Sequence, residues 1–353
     1  MSKFFTGRYQ ALTPYTPGEQ PRDMQYIKLN TNESPYKPSA KAIEAAAQAA
    51  ARLQLYPDPT YKALHETLAT YHGVTPDMVL ATNGSDEILN FAFMAFCDEA
   101  SPALFANITY GFYSVFATLN HVPFTEIPLK PDFSLSVDDY IGSKGTVFIA
   151  NPNAPTGLAL PLSEIERLLA ADRSRVVVID EAYVDFGTES AVALIGRYDN
   201  LLVTRTFSKS RSMAGARLGY GIGSPALIAD LNTIKYSTNP YNVNSMSAAA
   251  GLGVMTDEAY TAACCKEIVE TRTYAMTGLK KLGFEMTDSK GNFLFVRHPV
   301  MGGEAIYRAL KARGILVRHF NRAPIEDYNR ITVGTRADMQ TLIDTLADIL
   351  KEL

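Results

Sequence analysis

Short, almost wholly apolar runs recur through this chain, each set between stretches with helical spacing. The clearest is Val176-Val-Val-Ile-Asp180, where four β-branched residues end on a carboxylate. Met78–Ala81, Ala103–Ala106, Thr146–Ala150, Leu201–Arg205 and Leu218–Ile222 read the same way, and the more polar Phe124–Ile127 reads as a further strand. A strand without polar alternation has both faces buried, so layers of helix must cover it above and below. Segments of helical spacing lie between these runs: from Ser39 to about Leu53, Tyr61–Tyr71, onward from Glu87, Tyr113–Leu119 and Ser163–Ala171. The pattern predicts the α/β class, with a mostly parallel central sheet and helices on both faces.

The character changes near residue 245. A long helix around Ser247–Lys280 is expected, then strands at Phe293–Val296, Leu316–Arg318 and Arg330–Val333, with helices at Ala305–Arg313 and the C-terminus. At 353 residues the chain should hold about two domains, given ~100–200 residues for each. We expect a large domain over 38–244, and a smaller α+β domain built from 245–353 with the arm 1–37.

A net charge of −4 supplies no basic face for nucleic acid or a membrane surface, and neither is expected as a partner. The opening MSKFFTGRYQ has no apolar core of a signal peptide. Ile88–Cys97 is about half as long as a bilayer span. Cys97, Cys264 and Cys265 form no CxxC pair, so reduced thiols, no metal site and a cytoplasmic location are expected.

Open α/β sheets bind ligands at the carboxyl ends of their strands, and three loops there are chemically unusual. Asp180 ends a β-branched run, where burial would raise its pKa unless a cation pairs with it. Lys209 follows Thr206-Phe-Ser208, with Arg217 eight residues on. Partial desolvation and a nearby like charge would depress its pKa, as an imine-forming lysine requires. Gly84-Ser85-Asp86 opens a helix whose free N–H groups would suit an anion. Each has a blander reading alone: an ion-paired aspartate, a solvated lysine, an N-capped helix. Together they describe pyridoxal phosphate (PLP), which needs a lysine, an acid for its pyridinium nitrogen and donors for its phosphate.

The order of Asn83-Gly-Ser-Asp86, Asn151-Pro-Asn-Ala-Pro-Thr-Gly157, Asp180-Glu-Ala-Tyr183 and Thr206-Phe-Ser-Lys209 through Arg217 resembles the fold-type-I PLP-dependent aminotransferases. That resemblance implies a covalent cofactor link at Lys209, Asp180 on the pyridinium nitrogen and Tyr183 on the ring 3-oxygen. Gly84, Ser85, Asp86, Thr206, Ser208 and Arg217 would hold the phosphate, and Tyr110 would stack on the ring. Ala154 departs from the pattern, since that family carries Asn before Pro-Thr-Gly. Either Asn153 reaches the 3-oxygen instead, or Tyr183 makes the contact without it.

Leu12-Thr-Pro-Tyr15, Leu29-Asn-Thr-Asn-Glu-Ser-Pro35 and Leu55-Tyr56-Pro-Asp58 resemble the histidinol-phosphate aminotransferases in particular. This implies a homodimer in which Tyr56 reaches the neighbour's cofactor phosphate. It also implies Tyr15, Arg318 and Arg330 as contacts to histidinol phosphate and to glutamate or 2-oxoglutarate, arginine being suited to phosphate and carboxylate alike. Threonine-phosphate decarboxylase and aromatic amino-acid aminotransferase chemistry stay open on the same fold. The glycine-rich Gly219-Tyr-Gly221-Ile-Gly223 raises a nicotinamide-dependent dehydrogenase, but it comes late in the sheet and lacks a glycine at the sixth position.

Overall fold

The structure, a computed structural model, describes residues 2–10 and 12–352. Seven strands form the central sheet in the order Val79–Thr82, Gly219–Gly223, Leu201–Thr206, Val177–Asp180, Thr146–Ala150, Ala103–Ala106 and Phe124–Ile127. Six share one direction, as the apolar runs predict. The exception is Gly219–Gly223, antiparallel to both neighbours. Twelve residues, Phe207–Leu218, separate it from Leu201–Thr206, and they hold no α-helix, only the turn Ala214–Ala216. A parallel return usually runs through a crossover helix, and without one this strand comes back antiparallel.

Alternate side chains leave the sheet on opposite faces. Phe148, Val178 and Leu202 join a core with Phe91, Phe93 and Tyr113. Val147, Ile149, Val177, Ile179 and Val203 join a second core beneath the other face. The helix Ala40–Ala50 is capped by the Ser39 hydroxyl and packs beside the helix Ser245–Met255. The approach is close: a Cβ on Gly253 would stand 2.5 Å from the Lys41 carbonyl oxygen.

The expected long helix Ser247–Lys280 is two helices, Ser245–Met255 and Glu258–Lys281, parted at Thr256 and Asp257. Ala250, Val254 and Met255 pack into the sheet-side core, whereas Ala275 and Leu279 belong to a third core. The break lets the chain change layers. A helix at Pro225–Thr238 was not expected, although Ser224 caps it and proline opens it.

The third core lies under a four-stranded antiparallel sheet ordered Arg318–His319, Asn329–Thr332, Phe293–Arg297, Glu285–Met286. Helices Glu258–Lys281, Gly303–Ala312 and Arg336–Lys351 accompany it. The arm joins this part of the fold: Ile27–Lys28 pairs in parallel with Ile315–Leu316, and Leu29 is buried in the third core.

Candidate active site

Strands that run together end together, so Ala106, Ala150, Asp180 and Thr206 finish on one edge of the sheet. A cavity of about 330 Å³ opens there. Asp180 forms part of its floor, and Lys209 stands on its wall.

Asp180 is only 5% exposed. It accepts from the Tyr113 hydroxyl at 3.0 Å, the Ala182 N–H at 3.2 Å and the Thr204 hydroxyl at 3.3 Å. Burial pushes its pKa up to about 6; the Tyr113 bond opposes the rise and the Asp86 charge adds to it. This acid is held in place and poised between charge states.

Lys209 donates from Nζ to the Thr31 carbonyl at 3.2 Å, and its Nζ lies 5.8 Å from the centre of the Tyr183 ring. Burial is the main reason its pKa falls to about 8. Arg330 and Arg217 push the same way, while Glu33 and Asp86 resist. The amine is therefore far easier to deprotonate than an exposed lysine, as nucleophilic use requires.

The turn at Gly84 has φ +83°, and a Cβ there would lie 2.8 Å from Arg217 Nη2. Glycine is thus needed twice, for the backbone and for the space. The helix Ser85–Phe96 begins at this turn and brings its first N–H groups to the cavity edge. Arg217 Nη2 lies 3.1 Å from Asp86 Oδ2, and the Tyr110 hydroxyl donates to Asp86 Oδ1 at 2.7 Å. The Thr206 and Ser208 hydroxyls are 3.0 Å apart beside them. Helix N–H groups, a guanidinium and two hydroxyls make a donor set for a phosphate monoester. Together with the acid on the floor and the amine on the wall, they fit pyridoxal phosphate.

Tyr183 accepts at its hydroxyl from the Asn32 carboxamide at 3.0 Å. Asn32 is buried and is tied in turn to Thr332 through its backbone N–H and its Oδ1. The position before Pro-Thr-Gly resolves plainly. Ala154 lines this cavity, while Asn153 lines a neighbouring one. The Asn153 carboxamide is spent on Thr109, the Ile108 carbonyl and Thr156. The structure does not bring Asn153 to the cofactor-sized cavity.

The arginines differ from one another. Arg330 donates to the Asn30 carbonyl at 3.0 Å and lies over the Phe293 ring, yet its buried Nε has no partner among the described residues. Burial, more than any neighbour, lowers its pKa. Arg318 donates to the Thr16 and Pro17 carbonyls of the arm, at 3.2 and 3.4 Å. Tyr15 stacks on Phe112 with centroids 4.2 Å apart and leans towards Tyr110. Tyr56 is outside this cluster: it is 83% exposed and stacks on Tyr241 at 4.7 Å.

Sequence reasoning missed Tyr113, Asn32, Thr31 and Glu33. Tyr113 lies three residues after Tyr110, in the first turn of the helix Phe112–Leu119, which Tyr110 precedes. The other three fall within the Leu29–Pro35 segment, where no spacing or apolar run singles them out.

The family model described as aminotransferase class I and II matches residues 24–346. Histidinol-phosphate aminotransferase 2 of Thiobacillus denitrificans is 48% identical, over 98% of this chain and 99% of its own. Histidinol-phosphate aminotransferase of Clostridium acetobutylicum is 44% identical, over 99% and 100%. A crystal structure of histidinol-phosphate aminotransferase from Sinorhizobium meliloti, in complex with pyridoxal-5'-phosphate, superposes with a TM-score of 0.91. At 23% identity, over 100% of this chain and 99% of that one, it establishes the fold. The kinship read from four loops thus extends along the chain, which belongs to the class I and II aminotransferases, among the histidinol-phosphate aminotransferases.

Proposed function

We propose that this chain moves the amino group of histidinol phosphate to 2-oxoglutarate, giving imidazole acetol phosphate and glutamate, a step of histidine biosynthesis. The observation that carries the chemistry is the single cavity joining Lys209, Asp180 and the anion-binding turn at Gly84. The substrate rests on the near full-length identity of 44–48% with enzymes of that name.

Pyridoxal phosphate, when bound, supplies a ring that accepts the electron pair left on the substrate carbon as its proton departs. Asp180 holds a proton on the ring nitrogen. Lys209 Nζ would take the proton from the amine-bearing carbon and deliver it to the far side of the nitrogen, a 1,3-transfer. Arg217, Thr206, Ser208 and the amides after Gly84 would hold the phosphate, Tyr110 would cover the ring, and Tyr183, steadied by Asn32, would donate to the ring 3-oxygen. Arg330, whose Nε has no partner among the described residues, would bind the anionic end of either substrate. Arg318 and Tyr15 complete that end. One set of donors then serves a phosphate monoester in one half-reaction and carboxylates in the other, in ping-pong order.

We read Thr256–Asp257 as the division between the large and small domains, slightly beyond residue 245. We read the enzyme as a cytoplasmic homodimer in which Tyr56 serves the neighbour's site. Its exposure supports this reading, and among the described residues no helix is long and apolar enough to cross a membrane. Mixing Lys209→Ala with Tyr56→Ala protomers tests it. Hybrids should regain activity that neither parent has, and a mixture no better than its parents would refute the shared site.

The substrate is tested by following the absorbance change of the half-reaction with histidinol phosphate, threonine phosphate and phenylalanine. Conversion to the pyridoxamine form by histidinol phosphate far ahead of the others is expected. Release of carbon dioxide from threonine phosphate, or a faster reaction with phenylalanine, would overturn the substrate and leave the cofactor chemistry standing.

A further inference from the structure

Glu87 is the third residue of the helix Ser85–Phe96. A glutamate at that place commonly reaches back to the N–H of the residue preceding the helix, while that residue's side chain caps the helix in exchange. Gly84 has no side chain to offer, and its own N–H is turned onto the Thr82 carbonyl at 2.9 Å. Glu87 reaches one residue further. Its Oε2 accepts from the N–H of Asn83 at 2.7 Å.

The same oxygen accepts from the carboxamide of Asn242. Asn242 is buried, its Oδ1 has no partner among the described residues, and because a carboxylate only accepts, its nitrogen end faces Glu87. The segment around Asn242 is itself clamped. Val243 exchanges two hydrogen bonds with the Tyr61 hydroxyl, at 2.9 and 3.1 Å, and Tyr241 stacks on Tyr56. Lys235 is buried and donates to the Pro59 carbonyl at 2.5 Å. Glu87 is therefore fixed from a rigid neighbour. Through Asn83 it sets the peptide plane just before Gly84, whose φ is +83°.

We propose that Glu87, anchored by Asn242, is a positioning residue that holds the Asn83–Gly84 turn so that the amides following it point at the cofactor phosphate. This rests on the reading of that turn as the phosphate site. A simpler view of a carboxylate so close to a phosphate is purely electrostatic: its charge repels the phosphate, and removing it tightens binding. The geometry points to the opposite sign, because the turn loses its orientation with the hydrogen bond.

The experiment strips the full-length enzyme of cofactor and titrates it with pyridoxal phosphate and with pyridoxal, which lacks the phosphate. Glu87→Ala should bind pyridoxal phosphate about tenfold more weakly, as for one lost charge-assisted hydrogen bond, and bind pyridoxal as the parent does. Glu87→Gln keeps an oxygen for both donors and should keep the parent's preference. Should the alanine variant fail to fold, Glu87→Asp keeps the charge but is one methylene too short, and the same loss is expected. Unchanged or tighter binding of pyridoxal phosphate by Glu87→Ala or Glu87→Asp would overturn the proposal, as would an equal loss for both ligands. If the parent enzyme shows no preference for the phosphorylated form, the phosphate-site reading itself fails.

Discussion

Asp180→Asn exchanges a buried carboxylate for a neutral group of the same shape. The carboxamide can still take part in hydrogen bonds with Tyr113, Thr204 and the Ala182 N–H. Without cofactor, burial raises the Asp180 pKa from its ordinary 3.8 to about 6. A raised acid favours the folded state below its unfolded pKa, and that contribution is lost as pH rises through the folded value. Keeping the charge buried at pH 8 therefore costs about 3 kcal/mol, at roughly 1.4 kcal/mol for each tenfold change in proton affinity. With an unfolding entropy of about 2.1 cal/mol/K per residue over 353 residues, the apoenzyme of the variant should melt about 4 °C higher at pH 8. At pH 4 the gain should nearly vanish. The loaded variant should retain cofactor yet turn over about 10²–10³-fold more slowly, since the ring nitrogen has lost its anionic partner. Calorimetry of the apoenzyme at the two pH values, with half-reaction kinetics beside it, is the assay. A shift that is the same at both pH values would refute the burial argument, and near-normal turnover would remove the role given to Asp180.

Gly84→Ala forces a Cβ to within 2.8 Å of Arg217 Nη2 on a backbone with φ +83°. Affinity for pyridoxal phosphate should drop about tenfold or more in an equilibrium titration while pyridoxal is less affected. In the cofactor-free enzyme, an amine-directed reagent should modify Lys209 with a midpoint near pH 8, below the usual 10.5. Arg330→Gln should move that midpoint upward by removing a like charge; a downward shift would contradict the assignment. Arg330→Ala should cut kcat/KM for histidinol phosphate and for glutamate alike, by about tenfold to a hundredfold. A glutamate half-reaction that is unaffected would show that the two substrates use different donors.

Much of this site was legible because each chemical group ends an apolar run. Asp180, Lys209 and the Gly84 turn stand where sheet strands stop, and burial next to a functional group is visible in one dimension. Pairing direction is not: Gly219–Gly223 reads the same forwards or backwards, and only the helix-free connection before it decides. The break at Thr256–Asp257 was hidden because helical spacing continues on both sides. Tyr113 could not be assigned to Asp180 because 67 residues separate the two. The helix Pro225–Thr238 carried its signal openly, in a capping serine and an opening proline, and went unread. Asn153 misled in the opposite way. An asparagine one position from the usual place suggested a shifted contact, whereas the loop turns it towards Thr109 and Thr156.

The strand pairing of the arm has a temporal consequence. Asn30 and Asn32 leave the ribosome well before their partners Arg330 and Thr332, which lie 300 positions later. At roughly 5–20 residues per second, that interval lasts roughly 15–60 s. During it the central sheet has all its strands by Gly223, but Tyr183 lacks the buttress that Thr332 gives Asn32. The catalytic pocket is thus among the last places to acquire its native surroundings, and a nascent chain would have a scaffold well before it had an active site.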